Sequence, residues 1–223
     1  MKICIYGLGA VGGLMAARLA CSGARVSAVA RGATLEAVRR DGLTLIDTAD
    51  GQARRQCVTL AVSDRPERLG VQDVVVVAVK ATGLPDVAHA IAPLLGPHTT
   101  VLSAMNGVPW WFFHGLAPAY ASMQLQCIDP DGRISAAMAP SRVVGCVTHL
   151  SAATPQPGVV RHIAGNRLIL GEPAGGADTA RAGAIVEALR KAAFEVDEAR
   201  SIQQEIWFKL WGNMTVNPIS ALT

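Results

Sequence analysis

A glycine pattern near the start of the chain limits its fold more than any other feature. Ile3 to Tyr6 is a short apolar run, followed at once by Gly7-Leu8-Gly9-Ala10-Val11-Gly12. From about Val11 to Cys21 the residues are rich in Ala, Leu and Met and read as a helix. Arg25 to Ala30, after Ser22-Gly23, reads as a second strand. Strand, glycine turn, helix and strand within ~30 residues make the βαβ unit in which G-x-G-x-x-G binds a dinucleotide. Gly7 permits the tight turn, Gly9 lets backbone approach a pyrophosphate, and Gly12 lets the helix pack close to the strand. Leu8, Ala10 and Val11 complete the loop, and the helix N-terminus turns free N–H groups toward phosphate. The alternative is a glycine-rich turn in some other α/β protein. A signal peptide is excluded, because these glycines interrupt the apolar stretch.

The end of the second strand bears on cofactor choice. An Asp or Glu there accepts from the ribose 2′-OH of NAD. This chain reads Val29-Ala30-Arg31-Gly32, with no carboxylate. A guanidinium fork matches phosphate oxygens, so Arg31 favours the 2′-phosphate of NADP(H); the other reading is an ordinary surface arginine.

Further along, Val74 to Val79 is an almost pure valine strand, as suits a parallel strand buried on both faces. It ends at Lys80. The strand from Thr99 to Ala104 ends at Met105-Asn106-Gly107. Ligands of open α/β sheets bind at the carboxyl ends of strands, which places Lys80 and Asn106 to meet one. A solvated lysine and a plain Asn-Gly turn are the competing readings. Val87 to Leu95 reads as a helix limited by Pro93, Val143 to Leu150 as a strand, and Val159-Val160 with Leu168 to Leu170 as a hairpin. Ala180 to Ala193 reads as a helix with Ile185, Val186 and Leu189 facing inward. Trp110 to Phe113 concentrates four aromatics in a less regular segment, 109–141. That segment is expected to pack against the core, to cover a substrate or to make an oligomer contact such as a homodimer's.

The last helix, Ser201 to Val216, carries Glu205, Lys209, Asn213 and Asn217 four residues apart, on nearly one face. A Lys and two Asn in line face a cleft, or else form a solvated face with a Glu205–Lys209 pair. Ile202, Ile206 and Leu210 make the neighbouring apolar stripe, and Pro218 is expected to interrupt or kink the helix.

Composition excludes several classes. Hydrophobic residues make up 51% and charged residues 17%, which is incompatible with intrinsic disorder. A formal charge of +3, dispersed along the chain, argues against nucleic acid as a partner. No apolar run reaches the ~18–20 residues of a membrane span. The five cysteines are odd in number and show no C-x-x-C, so neither zinc nor a disulfide framework is expected, and a reducing cytoplasm fits best.

Taken together, GLGAVG, Arg31, Lys80, Asn106-Gly107 and above all Lys209-x-x-x-Asn213-x-x-x-Asn217-Pro218-Ile219-Ser220-Ala221-Leu222 resemble the ketopantoate reductase family along essentially the whole chain. The resemblance implies an α/β fold: a Rossmann-type, NADP-binding domain over residues 1–200, then the start of an all-helical C-terminal domain at 201–223. By that resemblance the chain ends inside the second domain, short of an acidic residue and further substrate contacts. Lys209 matches the catalytic lysine, Asn213 and Asn217 match substrate-binding asparagines, and Asn106 matches an asparagine near substrate and cofactor. Gly83 stands where the family usually has Gln, and the 109–141 stretch is longer than the usual connection. The implied activity is NADPH-dependent reduction of a 2-keto acid, ketopantoate first, to a 2-hydroxy acid. A β-hydroxyacid dehydrogenase and a non-catalytic NADP-binding sensor are the alternatives.

Overall fold

In the computed structural model, residues 1–48, 52–120, 122–175 and 179–222 are described; Thr223, the last residue of the expected helical segment, lies outside them. The valine-rich and isoleucine-rich runs become the middle of one mixed sheet. β1 (Lys2–Tyr6) pairs in parallel with β2 (Arg25–Val29) on one side and β6 (Gln72–Val77) on the other. Outward from β2 lies β5 (Ala61–Ser63); outward from β6 lie β7 (Leu95–Ser103) and β8 (Val143–Gln156), all parallel. β8 then turns into β9 (Val159–Gly171), its antiparallel partner. β3 (Leu43–Asp47) pairs with β9 in parallel, β4 (Arg54–Val58) closes that edge, and β10 (Glu195–Glu198) also pairs with β9.

Alternation along the central strands feeds two cores. Ile3, Ile5, Val74 and Val76 face α1 (Ala10–Cys21), α2 (Gly32–Asp41) and α5 (Ala180–Lys191), meeting Leu14, Met15, Leu35, Ile185 and Leu189. Cys4, Val75 and Val77 point the other way, to α3 (Leu84–Ala90), α4 (Arg133–Ala137) and α6 (Ile202–Leu222), meeting Leu84, Val87, Ile134, Ile202 and Ile206. α1 has no side-chain cap and no acidic residue in its first turn. Its stability therefore comes from packing: full burial of Leu14, Met15 and Leu19 contributes about 1.5–3 kcal/mol each. The outer halves of β8 and β9, with β3, fold across α1. There Arg18 donates to Asp47 Oδ2 at 2.9 Å and to Asn166 Oδ1 at 2.5 Å, beside the buried ring of His162, and so ties the arm down.

Several expectations are corrected. The helix expected over Val87 to Leu95 begins at Leu84 and ends at Ala90; Pro93 sits in a separate 3-10 turn, and Leu95 already opens β7. Val159-Val160 and Leu168 to Leu170 are not two arms of a hairpin; both lie on β9, whose hairpin partner is β8. The helix runs through Pro218 to Leu222 without interruption. Losing one N–H is tolerated there because that end of α6 is exposed and the Met214 carbonyl can bond to water. In the aromatic segment, Trp110 and Trp111 are buried and Trp110 Nε1 donates to Met138 O at 3.1 Å, which is the packing role. Phe112 lies 6.4 Å from Trp207 of α6, centroid to centroid.

The cysteines at 4, 21, 57, 127 and 146 are free thiols. No described helix is long and apolar enough to cross a membrane, and no metal-holding cluster occurs among the described residues.

Candidate functional site

Because β1, β2, β6 and β7 run parallel, their carboxyl ends share one edge of the sheet. The segments that leave this edge are the glycine loop, Ala30-Arg31, Ala78 to Lys80 and Ala104 to Asn106. They enclose a cleft of about 1190 Å³, lined by Gly7 to Val11, Arg31, Lys80, Asn106 and the tip of the β8–β9 hairpin, among others. That volume is ample for a dinucleotide.

The glycine loop fits a pyrophosphate for physical reasons. Gly7 has φ +102°, a conformation that L side chains resist, and a Cβ there would meet Val79 Cγ1 at 2.8 Å. A Cβ on Gly12 would lie 2.0 Å from the Gly7 carbonyl oxygen, so Gly12 serves the contact between helix and turn instead of lining the cleft. Gly9 faces open space, with nothing within 4 Å of where a Cβ would stand. It is also the N-cap of α1 and makes no side-chain cap, which leaves the first N–H groups of the helix for an anion.

At the far end of the same edge, α6 lays its first half on β8 and β9. Ile202 and Ile206 are buried beneath it. One turn on, the Lys209 ammonium donates to Asn106 Oδ1 at 2.8 Å and to the carbonyl oxygen of Thr148. The ammonium thus turns toward the strand ends rather than along the helix to Glu205. Burial holds Lys209 below the ordinary lysine range; the neighbouring Cys146 acts weakly in the opposite direction. Burial pushes the Cys146 thiol up to about 12, with Lys209 pulling it down. Asn106, Lys209 and Asn213 share a small pocket floored by Val147 and Ile206. Asn217, one turn further, is exposed and stands apart from that group.

Arg31 and Lys80 are both exposed on the wall of the large cleft. Arg31 Nη1 donates to Asp86 Oδ2 at 3.1 Å.

Sequence reasoning missed four neighbours of the site. Thr148 acts through its backbone carbonyl, which no residue type announces. His149 follows it; burial, then Lys209 and Arg167, hold its imidazole below the ordinary range, with Glu205 opposing. Tyr6 and Asp86 line the cleft. Asp86 had a usable signal: an acidic residue in the first turn of the helix after the valine strand, near the same sheet edge.

The family model described as ketopantoate reductase PanE/ApbA matches residues 3–175. A 2-dehydropantoate 2-reductase of Mesorhizobium japonicum is 45% identical over 224 residues, covering 100% of this chain and 67% of that protein. A 2-dehydropantoate 2-reductase of Halobacterium salinarum is 28% identical, covering 100% of this chain and 65% of its own length. The crystal structure of a protein assigned as a ketopantoate reductase from Ralstonia solanacearum MolK2 superposes with a TM-score of 0.92 at 50% identity, covering 99% of this chain and 67% of that one. The chain therefore spans about two thirds of the length of these relatives.

Proposed function

The chain belongs to the ketopantoate reductase family, and on that premise we propose that it serves the NADPH-dependent reduction of 2-dehydropantoate, a 2-keto acid, to pantoate. The observation that carries the reading is the Lys209 ammonium, fixed against Asn106 at 2.8 Å on the edge of a cleft whose other end is a glycine loop and a bare helix N-terminus.

When bound, NADPH supplies the hydride that the C2 carbonyl carbon receives. The protein does the rest. The glycine loop and the N-terminus of α1 hold the diphosphate, Arg31 holds the 2′-phosphate, and Lys80 adds a positive charge on the same wall. Lys209 hydrogen-bonds the keto oxygen and gives it a proton as negative charge develops there. Asn106 and Thr148 hold the ammonium in place. Asn213, inside the small pocket, hydrogen-bonds the substrate so that its carbonyl lies within reach of the hydride, and Asn217, exposed one turn further along α6, hydrogen-bonds the part of the substrate that extends past that pocket. Atoms balance: one hydride to carbon and one proton to oxygen convert the ketone to the alcohol.

The reading divides the chain into a dinucleotide-binding unit, residues 1–200, and the opening of a helical unit, residues 201–223. It includes a cytoplasmic location and assembly as a homodimer, which sedimentation measures. The direct test is NADPH consumption with ketopantoate, followed by recovery of pantoate. Consumption of NADPH without pantoate, or near-normal turnover by Lys209→Ala at saturating keto acid, would reject it.

A further inference from the structure

The second strand brings no carboxylate to the ribose end of the cleft, but the fold supplies one from elsewhere. Asp86, in the first turn of α3, accepts from Arg31 at 3.1 Å, and both side chains line the cleft. Both are largely in the open, at 73% for Arg31 and 64% for Asp86. An exposed pair of this kind holds only weakly, so the guanidinium can turn to another anion. Tyr6 shares this end of the cleft. Burial raises its phenol above the ordinary value, Arg31 opposes that rise, and Asp86 adds to it.

Two dinucleotides would meet this pair differently. A 2′-phosphate attracted by Arg31 must approach the carboxylate already beside it, and like charges repel. A free ribose 2′-OH has no charge and can donate to a carboxylate, as it does to the acid at the end of the second strand in other dinucleotide-binding folds.

We infer that Asp86 is a specificity-determining residue: its carboxylate weakens the hold of Arg31 on a 2′-phosphate and accepts from an unphosphorylated ribose, which narrows the preference for NADPH over NADH. The inference rests on the dinucleotide reading of the cleft.

The test is direct titration of the protein with NADPH and, separately, NADH, followed by nucleotide fluorescence, for the wild type, Asp86→Asn, Asp86→Ala and Arg31→Ala. Both Asp86 variants should bind NADPH about fivefold more tightly at low salt, a gain that shrinks as salt rises, and should bind NADH more weakly. Arg31→Ala should lose NADPH affinity while keeping that for NADH. An affinity ratio that is unchanged or lowered in both Asp86 variants overturns the inference alone. Binding of neither dinucleotide by the wild type overturns the reading beneath it, and this inference with it.

Discussion

Lys209 and Asn106 lie 103 positions apart in the chain and 2.8 Å apart in space. One sits at the middle of α6, the other just beyond the end of β7. Their hydrogen bond is where the helix stripe meets the sheet edge, and the Thr148 carbonyl oxygen accepts a second hydrogen bond from the same ammonium. An ammonium has three donors. Two are committed to protein, which leaves one for a substrate oxygen.

Replacing Lys209 by Ala should lower turnover about 10²- to 10⁴-fold, the usual worth of a positioned general acid. Lys209→Arg keeps the charge, but a guanidinium does not release its proton at working pH, so turnover should fall there too. Both variants should bind NADPH as the wild type does, because the cleft wall near the glycine loop is untouched. Steady-state kinetics and a fluorescence titration separate the two effects.

The reduction needs Lys209 protonated. Its folded-state pKa is lowered by burial, so activity should fall, as pH rises, at a lower pH than an ordinary lysine would show. Asn106→Asp places a carboxylate where the amide oxygen now meets the ammonium. That favours the charged lysine and should move the alkaline limb to higher pH. A limb that stays in place in a pH–rate profile of this variant counts against Lys209 as the titrating group.

Gly12→Ala would set a methyl 2.0 Å from the Gly7 carbonyl, and backbone cannot yield as a side-chain tip can. The expected cost is about 1–3 kcal/mol of stability. Because Gly7 carries the turn, NADPH affinity should fall as well. Thermal unfolding and nucleotide titration of the variant measure both.

Gly145→Ala acts from the other side. Its Cβ would meet Trp111 Cη2 at 2.5 Å and Ile202 Cγ1 at 2.7 Å, at the foot of α6. Moving that foot moves Lys209, two turns along. The variant should lose about 1–3 kcal/mol in thermal unfolding and show lower kcat with little change in KM for NADPH.

The strand–loop–helix–strand start and the Lys/Asn spacing were legible because each is local: a period, a turn, a helix face. β4 was not. Its residues, Arg-Arg-Gln-Cys-Val, are mostly exposed on an edge and show no alternation to detect. The β8–β9 arm was not legible because the stretch between Val160 and Leu168, exposed for the most part apart from the buried His162, resembles a loop, and only pairing with strands distant in sequence, β3 and β10 as well as β8, keeps it extended. Asp86 beside Arg31, and the Thr148 carbonyl beneath Lys209, depend on how distant segments meet at the sheet edge. The Lys-x-x-x-Asn-x-x-x-Asn stripe showed which side chains share a face, but not that Asn213 would join the pocket while Asn217 stays outside it.

Under the proposed reaction, the fixed seat of the ammonium has a stereochemical outcome. A ketone whose oxygen is pinned at Lys209, and whose other substituents are held along α6, shows the glycine-loop side of the cleft only one of its two prochiral faces. Attack from that side alone makes the new alcohol a single enantiomer.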